Sequence, residues 1–88
     1  MLWTVSFEPR ALRELEQLDR IAQRRVVRFL QERVAGNRNP RDLGKSLTGD
    51  LAGLWLYRIG EFRIVCRIDD DRLTVLVIRV AHRKDVYR

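Results

Sequence analysis

The chain has 88 residues, of which 45% are hydrophobic, and this predicts one domain over residues 1–88 that folds without covalent or metal cross-links. Its net charge of +6 comes from 16 arginines and two lysines against 12 acidic residues. The single cysteine and single histidine exclude an internal disulfide and the usual metal clusters, so we expect no metal, no cofactor and a reducing compartment. The sequence shows neither a secretory signal nor a stretch of membrane-spanning length, which predicts a cytoplasmic protein with no membrane partner.

The first half of the sequence predicts a strand followed by two helices. Residues 2–7 have the pattern of a short strand, and Pro9 suits the first turn of a helix over residues 9–18. Asp19 is placed to cap a second helix that ends at Gly36. So short a connection predicts an antiparallel helical hairpin that packs on a sheet. The apolar stripe of the second helix consists of Ala22, Val26, Phe29, Leu30 and Val34.

The second half of the sequence predicts an antiparallel sheet. Residues 37–53 are rich in glycine, asparagine, aspartate and proline, which indicates a loop with one short strand near residues 46–47. Long connections in small domains are often functional. Strand-like runs follow at residues 54–59, 62–68 and 73–80.

The first two of these runs form a hairpin around Gly60-Glu61. A two-residue turn with glycine first makes Arg58 pair directly with Arg63. Because like charges placed directly opposite each other destabilise a sheet, we expect an anion to lie between them. Arginine has a planar fork that suits bidentate contact with phosphate, and the commonest anion that engages several arginines is a nucleic-acid backbone. The hairpin therefore predicts an RNA-handling site.

Alternation along the strands separates an apolar face from an arginine face. If the loop before the third strand has an odd number of residues, both faces stay consistent across all three strands. On that assumption the apolar face holds Tyr57, Ile59, Phe62, Ile64, Cys66, Ile68, Leu76, Ile78 and Val80. The other face then holds Arg58, Arg63, Arg67, Val77, Arg79 and Arg83.

The order of these elements resembles the RelE toxins of the RelE/ParE superfamily, and the resemblance rests on LWLYRIGEFRIV at residues 54–65 and VAHRKDVY at residues 80–87. It implies a small α+β domain with an N-terminal strand, an antiparallel helical hairpin and then a three- to four-stranded antiparallel sheet. The activity it implies is that of a type II toxin, an endoribonuclease that cleaves messenger RNA in the ribosomal decoding site without a metal. The implied partners are the ribosome and a cognate antitoxin, which forms a hetero-oligomeric complex with the toxin.

The resemblance also implies catalytic roles for individual residues. It matches the basic catalytic strand residue of the family to Arg58 and its hairpin arginine to Arg63. The tail arginine of the family matches Arg83, and its C-terminal tyrosine matches Tyr87. The arginines are expected to neutralise charge on the phosphorus, and Tyr87 to position the reacting nucleotide.

One position departs from the family pattern. A lysine that the best-understood family member carries two residues before the position of Arg58 is replaced here by Leu56. The proton transfer that this lysine assists must then fall to another group. His82 and Tyr87 are the candidates, since histidine titrates near neutral pH.

Other functions are compatible with the same sequence. A ParE-like member of the superfamily binds a topoisomerase and performs no chemistry on RNA, and a non-enzymatic basic module binds RNA without cutting it. Arginines that alternate on a strand are also often the solvated face of a two-layer domain, which is the alternative for Arg67 and Arg79. The tail arginine and tyrosine favour the ribonuclease.

Overall fold

The computed structural model describes residues 2–85. Strand β1 is Thr4–Phe7, helix α1 is Pro9–Glu16, and helix α2 is Arg20–Arg28, which continues as a π-helical segment at Phe29–Val34. Two 3-10 helices lie at Pro40–Leu43 and Gly49–Leu51. Strands β2 to β5 are Lys45–Ser46, Trp55–Ile59, Phe62–Asp69 and Thr74–His82. No helix within residues 2–85 has the length and apolar composition needed to cross a membrane.

The helical hairpin begins and ends where the sequence predicts. Pro9 opens α1, and the Asp19 carboxylate accepts a hydrogen bond of 2.9 Å from the backbone N–H of Ala22 at the start of α2. A side chain at Gly36 would place its Cβ 2.7 Å from the carbonyl oxygen of Glu32, so the end of this helix requires glycine. Helix α1 is two residues shorter than expected at its C-terminal end.

The sheet contains the four antiparallel strands that the sequence predicts and one parallel strand besides. The strand order is β1-β5-β4-β3-β2, in which β2 to β5 are antiparallel neighbours. Strand β1 adds to the edge of β5 in parallel, with Thr4 paired to Thr74. A parallel pair needs a long crossover, and the whole chain from the helical hairpin to β4 lies between these two strands.

The two helices pack on one face of the sheet and form the main core with it. Tyr57 is the largest side chain that is completely buried there. Among the residues predicted for the apolar face of the sheet, Phe62, Leu76 and Ile78 lie outside this cluster, and Phe62 is only half-buried at the start of β4. The buried cluster consists of Trp3, Ala11, Leu15, Val26, Leu30, Val34, Tyr57, Ile59, Ile64, Cys66, Val75, Val77 and Val80.

The expectation of an odd loop before β5 is wrong. Asp69 pairs with Thr74, which leaves four residues between them. Because this number is even, the residues at the start of β5 lie on the faces opposite to those predicted. Val77 is therefore completely buried in the core, whereas Leu76 pairs with Arg67 on the opposite face of the sheet.

A β-bulge then restores the predicted alternation in the second half of β5. Val65 pairs with Arg79 while the next residue of β4 pairs with Val77, so Ile78 has no partner in the ladder. Ile78 packs against Val65 on the face away from the helices, contrary to the prediction. Beyond the bulge, Val80 is in the core as predicted.

The buried thiol and phenol in this core predict alkaline sensitivity. Burial raises the pKa of Cys66 and the pKa of Tyr57 above their ordinary values of 9.0 and 10.0. Both groups stay protonated in the folded chain at a pH where the unfolded chain ionises them, so their contribution to stability is lost as pH rises. The free energy of unfolding should fall above pH 9.0 and more steeply above pH 10.0, by up to ~1.4 kcal/mol per pH unit for each group.

Urea denaturation at a series of pH values tests this expectation. The matched control is Cys66→Ala, which should abolish the part of the decline that begins near pH 9.0 and keep the part that begins near pH 10.0. An unchanged slope in that variant would contradict the assignment to the thiol.

Candidate functional site

The face of the sheet that points away from the helices has an apolar floor and a basic rim. Leu56, Val65 and Ala81 form the buried floor, and no helical residue belongs to this cluster. We call this surface the arginine face and define it by the arginines that the strand register places on it. These are Arg58, Arg63, Arg67, Arg79 and Arg83.

The β3–β4 hairpin has the predicted register. Arg58 pairs directly with Arg63, and Gly60 has a φ of +58° at the first position of the turn. The Arg63 guanidinium donates 3.0 Å hydrogen bonds to the carbonyl oxygens of Gly60 and Phe62, which orients it at the turn. A Cβ at Gly60 would lie 2.7 Å from the Arg25 guanidinium of α2, which a movement of that flexible side chain would relieve, so it is the positive φ that favours glycine here.

Arg83 approaches this hairpin from the end of β5, the strand that pairs with β4 on the edge opposite β3. Ala81 of β5 pairs with Arg63, and the backbone N–H of Arg83 donates a hydrogen bond of 2.8 Å to the carbonyl oxygen of Glu61. Arg83 directly follows β5, and this hydrogen bond holds its backbone beside the turn of the β3–β4 hairpin. The structure brings Arg58, Arg63 and Arg83 together at one corner of the arginine face.

His82 is not part of this corner. It pairs with Phe62 on the face that carries the helices, and the two rings meet edge to face with their centroids 6.2 Å apart. Its Nε2 lies 3.6 Å from the Glu61 carboxylate, and its Nδ1 accepts a hydrogen bond from the backbone N–H of Lys84. The interpretation of His82 as a proton acceptor beside the arginines is therefore not supported. Tyr87 lies outside the described residues.

The two remaining arginines of this face are set apart from the corner. Arg67 is four residues beyond Arg63 on β4, about 13 Å along the strand. The Arg79 guanidinium lies 3.0 Å from the Glu14 carboxylate of α1, which also accepts the backbone N–H of Val80. Arg79 therefore fastens α1 to the edge of β5 and does not belong to a solvated face, which was the alternative predicted for it.

Lys45 is a basic residue of the arginine face that sequence reasoning missed. Strand β2 is Lys45–Ser46 rather than residues 46–47, and Lys45 pairs with Leu56 of the apolar floor. The predicted bounds left Lys45 outside the strand, and no partner was predicted for that strand, so the sequence assigned this lysine to no face of the sheet. The pairing of β2 with β3 is the observation that places it.

The segment that carries β2 is fastened to the sheet at two points. The Tyr57 hydroxyl donates a buried hydrogen bond of 2.7 Å to the carbonyl oxygen of Pro40. Arg41 makes a bidentate contact with Asp70 at 2.9 and 2.7 Å and lies over the ring of Trp55. The hydrogen bond and charge of Arg41 hold the pKa of the Asp70 carboxyl below its usual value. These contacts hold the long loop in place beside the arginine face.

Comparison with known proteins identifies the family. The sequence profile described as the ParE toxin of type II toxin-antitoxin system, parDE, matches residues 5–87. The chain is a member of the RelE/ParE superfamily of type II toxins. It is similar to Toxin RelG of Mycobacterium tuberculosis (strain ATCC 25618 / H37Rv), with 40% identity over 88 residues that cover 100% of this chain and 99% of the relative. It is also similar to Toxin RelE of that strain, with 36% identity over 84 residues that cover 96% and 84%.

Solved structures agree with this membership. The crystal structure of the toxin-antitoxin complex RelBE2 from Mycobacterium tuberculosis matches with a TM-score of 0.85 at 38% identity, covering 97% of this chain and 95% of that chain. The isolated E. coli RelE toxin has a TM-score of 0.74 at 24% identity over 97% and 90%, which shows a shared fold. The expected resemblance to RelE toxins is confirmed. The expected partner of this superfamily member is a cognate antitoxin.

Proposed function

We propose that this toxin is a ribosome-dependent endoribonuclease that cleaves messenger RNA in the decoding site and thereby inhibits translation. The observation that carries the proposal is the direct pairing of Arg58 with Arg63, with Arg83 at the same corner. None of the three forms an ion pair with a carboxylate of residues 2–85. Their mutual repulsion destabilises the free protein, and a bound phosphate removes that repulsion. The corner is therefore suited to a phosphodiester.

The proposed reaction is attack of a ribose 2′-oxygen on the adjacent phosphorus with breakage of the bond to the 5′-oxygen. The 2′-hydroxyl loses a proton to a base and the 5′-oxygen gains one, which leaves a cyclic phosphate and a free 5′-hydroxyl. Arg58 and Arg63 neutralise the charge that develops on the phosphoryl oxygens, so the reaction needs no metal. Arg83 contacts the phosphate near the leaving oxygen. Arginine has a pKa above about 12, which suits charge stabilisation better than proton transfer.

Tyr87 keeps the role that the resemblance implies, which is to position the reacting nucleotide by stacking or through its hydroxyl. We assign no proton transfer to His82, because its ring shares a face with Phe62 and the helices. The activity takes place in the cytoplasm, where the cognate antitoxin restrains it in a hetero-oligomeric complex.

Primer extension on messages from cells that briefly express the chain tests the proposal. We expect cuts that are phased with the reading frame, because the decoding site presents one codon at a time. The matched control is the same message without its start codon, which is not translated and should remain whole. Equal cutting of both messages would contradict dependence on the ribosome.

The same experiment separates the alternatives. The family profile carries the ParE description, so a topoisomerase-binding toxin is the alternative that the comparison keeps open. That function predicts intact messages together with altered DNA supercoiling in the same cells. A non-enzymatic RNA-binding module predicts intact messages, unaltered supercoiling and salt-dependent RNA binding.

A further inference from the structure

A groove beside Arg58 extends the basic corner towards strand β2. It has a volume of about 310 Å³ and is lined by Leu43, Gly44, Lys45, Leu56 and Arg58. Its two charged residues are both cations, and Lys45 forms no ion pair with any carboxylate of residues 2–85. In this groove the positive charge of Lys45, which none of these carboxylates neutralises, lies beside apolar side chains.

The position of Lys45 in this groove is fixed by its neighbours. Lys45 pairs with Leu56, so its side chain shares the face of Arg58. A Cβ at Gly44 would lie 2.9 Å from the ring of Tyr57, which shows how closely the backbone before Lys45 approaches β3. The ammonium is therefore presented by a backbone that is held against the sheet.

The distances between strands separate Lys45 from the anion site of the three arginines. The basic row runs from β2 to the end of β5 and crosses three strand spacings, about 14 Å. Lys45 and Arg58 are diagonal neighbours about 8 Å apart at the backbone. One phosphate cannot contact every residue of this row. Lys45 is therefore placed to contact a second phosphate of the same RNA strand.

We propose that Lys45 is a further RNA-binding residue of this toxin, whose ammonium contacts the phosphate next to the one held by Arg58, Arg63 and Arg83. The proposal rests on the proposed function. A nucleotide suits the groove because its phosphate meets the two cations while its sugar meets the half-buried apolar side chain of Leu43.

Binding of a short single-stranded oligonucleotide with 2′-deoxyribose sugars, which 2′-hydroxyl attack cannot cleave, tests this role. Lys45→Met should weaken its binding about tenfold by fluorescence anisotropy. The slope of log affinity against log salt should fall by about 0.7, the value of one lost phosphate contact on a single strand. Lys45→Arg should keep the slope of the unmodified chain.

The matched control is Arg72→Met, which removes the same charge from the exposed turn before β5. It should leave both affinity and slope unchanged, and thermal melting should show that all variants fold. Equal affinity and slope for Lys45→Met and the unmodified chain would overturn the proposal, as would no binding by the unmodified chain. Weaker antitoxin binding with unchanged oligonucleotide binding would assign Lys45 to the protein partner instead. Message cleavage by the unmodified chain is scored separately, so the ribonuclease function can stand while this proposal fails.

Discussion

Arg63→Ala and Arg83→Ala should each lower the rate at which ribosome-bound message is cut by about a hundredfold or more. Arg63 faces Arg58 across the hairpin, and Arg83 is tied to the turn of that hairpin through the carbonyl oxygen of Glu61. In the proposed reaction each guanidinium neutralises charge that develops only as the phosphorus is attacked, so its loss should appear in the rate of cleavage at saturating toxin. Single-turnover cleavage of message on programmed ribosomes measures this rate.

Arg67→Ala is the matched control for both variants. Arg67 lies on the same strand and face as Arg63, carries the same charge and is exposed, but is about 13 Å away along β4. It should cut at a rate within a few-fold of the unmodified chain, since only long-range charge is lost. If Arg67→Ala loses as much activity as the two variants, the net charge of the protein, rather than the position of the arginines at the corner, determines the rate of cleavage. Full activity in Arg63→Ala and Arg83→Ala would contradict the assignment of the reaction to this corner.

The corner of the arginine face could be predicted from sequence because it depends on local rules. The two-residue turn with Gly60 first fixes the partner of every residue in the β3–β4 hairpin, and alternation then fixes the faces. The same alternation that predicts Arg83 on the arginine face predicts its neighbour His82 on the other. That consequence follows from the sequence alone, and it argues against a role for His82 in proton transfer beside the arginines.

The features that could not be predicted depend on strand pairings that no two-residue turn fixes. The bulge at Ile78 changes the alternation within β5, and only the pairing with β4 shows where it lies. The face of Lys45 depends on the pairing of a two-residue strand with β3, and no local pattern sets that register. Strand β1 adds in parallel to β5 across almost the full length of the chain. A turn rule fixes the register only where the connection is as short as that of the β3–β4 hairpin.

Tyr57 connects the core to the arginine face, although its own side chain points to the helices. Its ring lies in an edge-to-face contact with Phe29, their centroids 5.8 Å apart. Its hydroxyl donates a hydrogen bond to the carbonyl oxygen of Pro40, and its ring lies close to the backbone at Gly44. These contacts fix the segment that presents Lys45. A buried residue of the core thereby determines the geometry of the basic groove on the opposite face.

Tyr57→Ala should lower the free energy of unfolding by about 3–5 kcal/mol, because it leaves a cavity under the helices and releases the segment around Pro40. Tyr57→Phe is the matched control, since it keeps the ring and removes only the hydroxyl. It should cost roughly 1 kcal/mol, the net value of one hydrogen bond. Urea denaturation of the three proteins at neutral pH measures both losses. Equal stability of the two variants would show that the ring contributes little, and the core would then not be what holds β2 against the sheet.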